Sequence, residues 1–198
     1  MARRPVVLFD VMDTLVTDPY YRAMPAFFGM SRKELRKAIH QTSWIEFEEG
    51  HISQAEYLAR FFDDGRPVDG DALDACLKDA YGWVDGAEQL LADLQDAGYE
   101  MHAFSNYSVW YRIIEEKLRL SRYLQWSFVS CLTGLRKPAQ EAYQAAAETL
   151  QVDVGDCLLI DDRTVNVDAA REFGLDAILV ESSAQVRAEL SRRRILDA

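Results

Sequence analysis

Five short, mainly apolar runs recur along the chain, and segments with helical spacing lie between them. A run of four or five such residues without regular alternation predicts a strand that is buried on both faces of a parallel sheet. The predicted strands cover residues 6–9, 100–104, 127–131, 157–160 and 177–180. Helices are predicted over residues 88–97, 108–118, 139–150 and 165–173. Asp85 is the expected N-cap of the first helix, and Gly98 and Gly174 are expected to end the first and the last.

Strands that alternate with helices predict an α/β fold, namely a doubly wound five-stranded parallel sheet with right-handed crossovers. Residues 17–83 do not follow this pattern, because they contain helix-like segments at 31–40 and 53–62 but no buried-strand run. We therefore predict that residues 17–83 form a small helical cap domain inserted after the first strand. Residues 1–16 and 84–198 would form the core domain.

Composition and charge narrow the function. The chain has 198 residues, of which 49% are hydrophobic, and a formal net charge of −11. This negative charge disfavours nucleic acid and anionic membranes as partners. The apolar stretch behind the basic N-terminus is too short for a signal-peptide core, so a cytoplasmic protein is expected. We expect a monomer or a homodimer that acts on a small molecule.

Polar residues cluster where the predicted strands end, which is where parallel sheets bind their ligands. Carboxylates from two strands, one ammonium group and one hydroxyl would meet at this edge. Such a set suits Mg²⁺ together with a phosphoryl group, because oxygen ligands hold the cation and the ammonium group offsets the negative charge. The residues concerned are Asp10, Asp13, Ser105, Asn106, Lys137, Asp161 and Asp162.

Four ordered stretches carry a family resemblance: VVLFDVMDTL, AFSNY, GLRKP and LLIDDRTVNVDAAREFG. With them, the chain resembles the haloacid dehalogenase superfamily of hydrolases over essentially its whole length. Many members of this superfamily carry a helical cap after the first motif, which matches the predicted insert. Within the superfamily, FDVMDTLV together with PAFFGM and WIEFEEG is similar to the flavin mononucleotide (FMN) hydrolases of plant plastids and their bacterial relatives.

The resemblance implies a nucleophile and a metal site. Asp10 would attack phosphorus and form an aspartyl-phosphate that water later cleaves. Asp10, the main-chain carbonyl of Met12 and Asp162 would hold Mg²⁺. Asp161 would belong to the same metal site as a supporting group, with Asn166 close to it.

The resemblance also implies the groups that bind the phosphoryl oxygens. Ser105 and the main-chain amide of Asn106 would contact these oxygens. Lys137 would orient the nucleophile and neutralise charge.

One position departs from the family pattern. Most phosphatases of the superfamily have an aspartate two residues after the nucleophile, as general acid and base, whereas this chain has Met12 there and Asp13 one place later. Losing a general acid should cost about 10²–10⁴-fold in rate, because an alkoxide is a poor leaving group. Three explanations stay open: Asp13 reaches the leaving oxygen, water or substrate supplies the proton, or the enzyme is slow.

The aromatic residues of the insert allow two interpretations. Aromatics at helical spacing usually face inward, so they could form the core of the cap. Alternatively, some of them could offer a flat surface to a flavin ring. The candidates for such a platform are Tyr20, Tyr21, Trp44 and Phe47.

The favoured prediction is a Mg²⁺-dependent phosphomonoester hydrolase, with FMN as first choice of substrate. A 2-haloacid dehalogenase that uses the same aspartate without metal is the alternative, because expelling halide needs no proton and Met12 fits that chemistry. Asp161 and Asp162 count against it, since they would repel a haloacid's own carboxylate. A third possibility is a catalytically weak member that only binds a phosphorylated ligand.

Overall fold

A computed structural model describes residues 4–197 and contains one five-stranded sheet in which all pairings are parallel. Its strand order is β3-β2-β1-β4-β5, so the first strand lies at the centre. This confirms the predicted α/β fold. The strands are β1 (Val6–Phe9), β2 (Met101–Ser105), β3 (Gln125–Val129), β4 (Cys157–Asp161) and β5 (Asp176–Leu179).

Strand β3 differs from its prediction, because it begins at Gln125 and ends at Val129. Residues 130–133, which include the end of the predicted strand, instead form a short helix. The hydroxyl of Ser130 donates to the main-chain carbonyls of Glu48 (2.6 Å) and Tyr107 (3.2 Å), outside the ladder of the sheet. These contacts account for the early end of the strand.

Helices cover both faces of the sheet with apolar side chains. The helices of the core are α6 (Ala87–Asp96), α7 (Tyr111–Leu118), α8 (Ser130–Thr133), α9 (Gln140–Leu150), α10 (Thr164–Phe173) and α11 (Ser183–Arg192). The N-cap of α6 is Gly86, which has a φ of 75°, so the prediction of Asp85 at that position is wrong. The sequence analysis predicted no helix at α11.

Five short helices lie between β1 and α6 and form the inserted helical cap. They are α1 (Ala23–Phe27), α2 (Arg32–Ala38), α3 (Ser43–Glu48), α4 (Gln54–Ala59) and α5 (Gly70–Ala80), preceded by a 3₁₀ turn at Pro19–Tyr21. Ser31 and Ser53 start α2 and α4 with capping boxes. We propose residues 17–83 as the extent of the cap, because Thr17 and Gly82 hydrogen-bond to each other where the chain leaves and re-enters the core.

Aromatic packing joins the cap to the core. The ring of Trp110, from the core, lies 5.2 Å from that of Phe47 and 5.7 Å from that of Tyr57, measured between centroids. Beside this contact, Gly50 has a φ of 74°, and a Cβ there would lie 2.5 Å from the carbonyl oxygen of Cys131. The end of α3 therefore sits directly against the backbone of the core. Between residues 4 and 197, no helix is long and apolar enough to cross a bilayer.

Candidate active site

A buried lysine links two aspartates at the carboxyl ends of β1 and β4. Phe9 pairs with Ile160, which places Asp10, just beyond β1, beside Asp161 at the end of β4. The Nζ of Lys137 donates to Asp10 Oδ1 over 2.9 Å and also to Asp161 Oδ2. Lys137 is only 1% exposed, so its charge depends on these two carboxylates rather than on water.

Asn106 holds the lysine in place through its side chain. Its Nδ2 donates to the carbonyl oxygen of Lys137 over 2.7 Å, and its Oδ1 accepts from the amide of Lys137 over 2.8 Å. The sequence analysis assigned Asn106 only a main-chain contact with phosphoryl oxygen. The positioning contact was missed, because 31 residues separate the two partners and no local pattern connects them.

Protein donors occupy both oxygens of Asp161. Besides Lys137, the side chain accepts from the amide of Arg163 over 2.8 Å and from Asn166 Nδ2 over 3.0 and 3.1 Å. Asp161 is fully buried. In this structure Asp161 holds Lys137, Asn166 and the start of α10, and its part as a supporting group of the metal site stays a prediction.

Four aspartates line one cavity of about 310 Å³, which we call the carboxylate cavity. Asp10, the candidate nucleophile, and Asp162, an expected metal ligand, both line this cavity. Polar groups surround the cavity, from the residues that follow β1, β2 and β4 and from the loop after β1. Its polar lining includes Asp10, Asp13, Asp18, Asn106 and Asp162.

The carboxylates that line this cavity outnumber the cationic side chains beside them, which are Arg163 in the lining and Lys137 bonded to Asp10. Burial raises the pKa of Asp10 to about 7, against the opposing effect of Lys137, and Asp161 and Asp162 add to the rise. Burial also raises the pKa of Asp162 to about 6, with further contributions from Asp161 and Asp13. A cavity of this kind favours a bound cation, which would relieve the repulsion.

The donor set fits a magnesium ion. Mg²⁺ commonly takes one or two carboxylates, keeps several waters and binds substrate phosphate. Asp10 and Asp162 supply two carboxylates to the carboxylate cavity, and Met12 lines it as well. Among the described residues, no group of three or more His, Cys, Asp and Glu side chains is assembled as a metal site. The remaining ligands would then be the main-chain carbonyl of Met12, water and phosphate.

Two buried hydroxyls near the sheet edge have no hydrogen-bond partner in the described structure. They belong to Ser105, the last residue of β2, and to Thr14 in the loop after β1. A buried hydroxyl without a partner costs free energy, which a ligand oxygen can recover by hydrogen bonding. Ser105 therefore suits its predicted role as a phosphoryl ligand.

The loop after β1, which contains Met12 and Asp13, is held by hydrogen bonds within the loop. Asp13 adopts a left-handed backbone conformation with a φ of 56°, and its amide donates to the carbonyl of Val16 over 2.7 Å. The Oδ1 of Asp13 accepts from the amide of Asp18 over 3.1 Å. Asp13 thus lines the carboxylate cavity with one oxygen already bound to the loop.

A second cavity, of about 400 Å³, adjoins the first within the cap, and we call it the aromatic cavity. Tyr20 and Trp44 line it, whereas Tyr21 lines the carboxylate cavity. Phe47 lines neither, because it is fully buried and stacks on Tyr57 at 4.5 Å, so the prediction that places Phe47 in a flavin platform is wrong. The remaining aromatic lining comes from Tyr57, Phe61, Tyr107 and Trp110.

A hydrogen-bond network fixes the ring of Trp44 against the core. Its Nε1 donates to Glu48 Oε2 over 2.7 Å, and Glu48 Oε1 accepts from Arg136 Nε over 2.9 Å. Arg136 directly precedes Lys137, so the same segment of the chain contacts the Trp44–Glu48 pair and supplies the buried lysine. The sequence analysis predicted no role for Glu48 or Arg136.

Comparisons with known proteins agree with this geometry. A profile of the haloacid dehalogenase-like hydrolases matches residues 5–174. The chain is 46% identical over 187 residues to the chloroplastic flavin mononucleotide hydrolase 1 of Arabidopsis thaliana, covering 94% of this chain and 76% of that protein. It is 25% identical over 170 residues to a sesquiterpene phosphatase of Aspergillus oryzae, covering 81% and 84% respectively. A crystal structure of a haloacid dehalogenase family enzyme from Bacteroides thetaiotaomicron, in complex with magnesium and inorganic phosphate, superimposes on this chain with a TM-score of 0.76. The two sequences are 18% identical, and the superposition covers 91% of this chain and 96% of that one.

Proposed function

This chain belongs to the haloacid dehalogenase-like hydrolase family, and we propose that it is a Mg²⁺-dependent phosphatase that hydrolyses flavin mononucleotide. The observation that carries the proposal is the contact between the two cavities. Asp18, Trp44 and Tyr107 line both of them, so a phosphate beside Asp10 would have an aromatic cavity within reach of its organic group. The relative from Arabidopsis thaliana supports the choice of substrate.

The residues of the carboxylate cavity suit nucleophilic catalysis. Asp10 Oδ1 accepts from Lys137, which orients the carboxylate so that Oδ2 can attack phosphorus and form an aspartyl-phosphate. Lys137 and the hydroxyl of Ser105 would stabilise the charge on the phosphoryl oxygens. When bound by Asp10, Asp162 and the carbonyl of Met12, Mg²⁺ would supply further neutralisation of that charge.

The charge of the same cavity opposes the dehalogenase alternative. A 2-haloacid carries its own carboxylate, and it would have to enter a space whose lining has four aspartates, Asp10, Asp13, Asp18 and Asp162, against the single arginine Arg163. Like charges at short distance repel strongly in a partly buried site. A phosphate ester that binds together with a divalent cation avoids this repulsion.

Removal of divalent cations tests the proposed metal requirement. We expect EDTA to abolish hydrolysis of FMN and MgCl₂ to restore it. Asp162→Asn should raise the Mg²⁺ concentration for half-maximal activity by about 10–100-fold, because it removes an anionic ligand. Asp168→Asn, the same substitution at an exposed position of α10, is the matched control. Full activity in EDTA would contradict the metal requirement.

Substitution of Trp44 tests the choice of FMN. Each aromatic stack contributes about 0.5–1.5 kcal/mol, so Trp44→Ala should lower kcat/KM for FMN by about three- to tenfold. Its activity on glycerol phosphate, which has no ring, should change much less. Trp126→Ala is the matched control, because Trp126 also donates its Nε1 to a glutamate, over 2.8 Å, but lines neither cavity. Equal losses on both substrates, or no preference of the wild type for FMN, would refute the assignment.

A further inference from the structure

We propose that Asp18 is the general acid and base of this phosphatase, in place of the aspartate that the family pattern puts at position 12. In the first half of the reaction Asp18 protonates the leaving oxygen, and in the second half it accepts a proton from the attacking water. This inference rests on the proposed phosphatase function and names the residue that completes its chemistry. Met12 has no group that exchanges protons, so the role is open to another residue that reaches the ester oxygen.

The position of Asp18 between the two cavities is the main argument. The phosphoryl group would lie beside Asp10 in the carboxylate cavity and the organic group in the aromatic cavity, so the ester oxygen between them would lie at the junction. Asp18, Trp44 and Tyr107 line both cavities. Of these three, only Asp18 carries a carboxyl group.

The other two junction residues have their polar atoms engaged. Trp44 donates its Nε1 to Glu48. The hydroxyl of Tyr107 pairs with that of Tyr81 at 2.6 Å, and burial raises the pKa of Tyr107 well above its usual value. A phenol in that state is a poor proton donor at neutral pH. Asp18 is left as the group that can exchange a proton there.

The side chain of Asp18 is anchored through one oxygen. Its Oδ1 accepts from the amide of Tyr20 over 2.8 Å and caps the 3₁₀ turn Pro19–Tyr21. Its Oδ2 accepts no hydrogen bond from any residue that the structure describes. The anchored oxygen orients the carboxyl group, and the second oxygen is available to a substrate.

The environment of Asp18 suits a group that alternates between protonated and ionised forms. Burial raises the pKa of Asp18 to about 6, and the charges of Asp13 and Asp162 add to this rise. The hydrogen bond from the Tyr20 amide and the charge of Arg32 act in the opposite direction. The charge of Asp18 in turn raises the pKa of three neighbouring phenol groups, those of Tyr21, Tyr81 and Tyr107. A pKa near the working pH makes a residue effective as both acid and base.

The proton and electron balance closes over the two steps. In the first, Asp10 forms a bond to phosphorus while the ester P–O bond breaks, and the leaving oxygen takes the proton of Asp18. In the second, the Asp18 carboxylate accepts a proton from water while the water oxygen bonds to phosphorus. The bond between phosphorus and Asp10 then breaks, which releases inorganic phosphate and returns both aspartates to their starting states.

Asp13 is a positioning residue in this scheme. Its Oδ1 accepts from the main-chain amide of Asp18 over 3.1 Å, which ties the first loop to the residue that we assign as acid. Asp13 lines the carboxylate cavity but not the aromatic cavity. It is therefore placed to hold Asp18 rather than to reach the ester oxygen.

The test compares two leaving groups in the variant Asp18→Asn. Asparagine can still cap the turn at Tyr20, because its side-chain oxygen accepts the same hydrogen bond. Hydrolysis of FMN should fall by about 10²–10⁴-fold, since the alkoxide loses its acid. With p-nitrophenyl phosphate, stopped-flow measurement should show a burst of about one p-nitrophenolate per active site, because this leaving group needs no proton. Slow turnover should follow, since cleavage of the aspartyl-phosphate lacks its base.

Two further variants keep the result interpretable. Asp69→Asn removes the same charge from another capping aspartate, which lies outside both cavities and caps α5, and should behave like the wild type. Asp18→Ser, which also preserves a capping oxygen, should reproduce the burst if Asp18→Asn folds poorly.

Three results would overturn the assignment. They are undiminished FMN hydrolysis by the Asp18 variants, loss of the burst together with FMN hydrolysis, and a burst in Asp13→Asn that is absent from Asp18→Asn. Failure of the proposed function would be recognised separately, because the wild type would then hydrolyse neither ester, and the role of Asp18 would fall with it.

Discussion

Asp10→Asn is expected to reduce hydrolysis of FMN by at least about 10⁴-fold, because an amide cannot form the aspartyl-phosphate. The substitution is nearly isosteric, so the hydrogen bond from Lys137 to the side-chain oxygen can persist. Steady-state kinetics measure the loss. Mass spectrometry of acid-quenched samples should detect one added phosphoryl group on the wild type and none on the variant.

The control for Asp10→Asn is Asp168→Asn, which removes one carboxylate from the exposed face of α10 and should keep full activity. A phosphorylated Asp10→Asn variant would show that another residue is the nucleophile. Full activity of the variant would exclude Asp10 from the chemistry altogether.

Lys137→Met should lower the free energy of unfolding by about 3–5 kcal/mol, because it leaves two buried carboxylates without their cation. Asp10 and Asp161 are 7% and 0% exposed, so water can do little to replace the ammonium group. Urea denaturation in EDTA measures the change without interference from a bound metal. The double variant Lys137→Met/Asp161→Asn should recover part of the loss, since it removes one of the unpaired charges.

Lys78→Met is the matched control for this substitution. Lys78 also pairs with a carboxylate, that of Glu116 at 2.6 Å, but both side chains are exposed. An exposed ion pair contributes about 0–1 kcal/mol, so this variant should be nearly as stable as the wild type. Equal losses in the two variants would show that burial of the Lys137 pairs has no special energetic weight.

The central sheet and its chemistry could be predicted from local patterns. β1 and β4 lie beside each other inside the sheet and are buried throughout, so their apolar runs are continuous in the sequence. Strand β3 lies at the edge of the sheet, and its first residue, Gln125, is exposed. Its pattern is correspondingly weaker, which explains the misplaced boundaries of the predicted strand.

The cap shows where a local pattern stops being informative. Trp44 and Phe47 lie three residues apart on α3 and are both apolar aromatics. The pattern indicates that such residues are sheltered from water, but it does not distinguish a cavity wall from a packed core. Trp44 lines both cavities, whereas Phe47 is fully buried against Tyr57 and Trp110. Only the packing of the cap on the core decides between these environments.

The sequence by itself determined the parallel sheet and the inserted helices, because apolar runs and helical spacing are local properties, whereas the contact of Lys137 with Asp10 was expected from the family resemblance. The tertiary structure alone decided how these groups are held and completed. The Asn106 side chain bonds to the Lys137 backbone across 31 residues, and Asp18 stands where two cavities adjoin. Neither fact has a local signature, since both arise from surfaces that come together only when the cap packs onto the edge of the sheet.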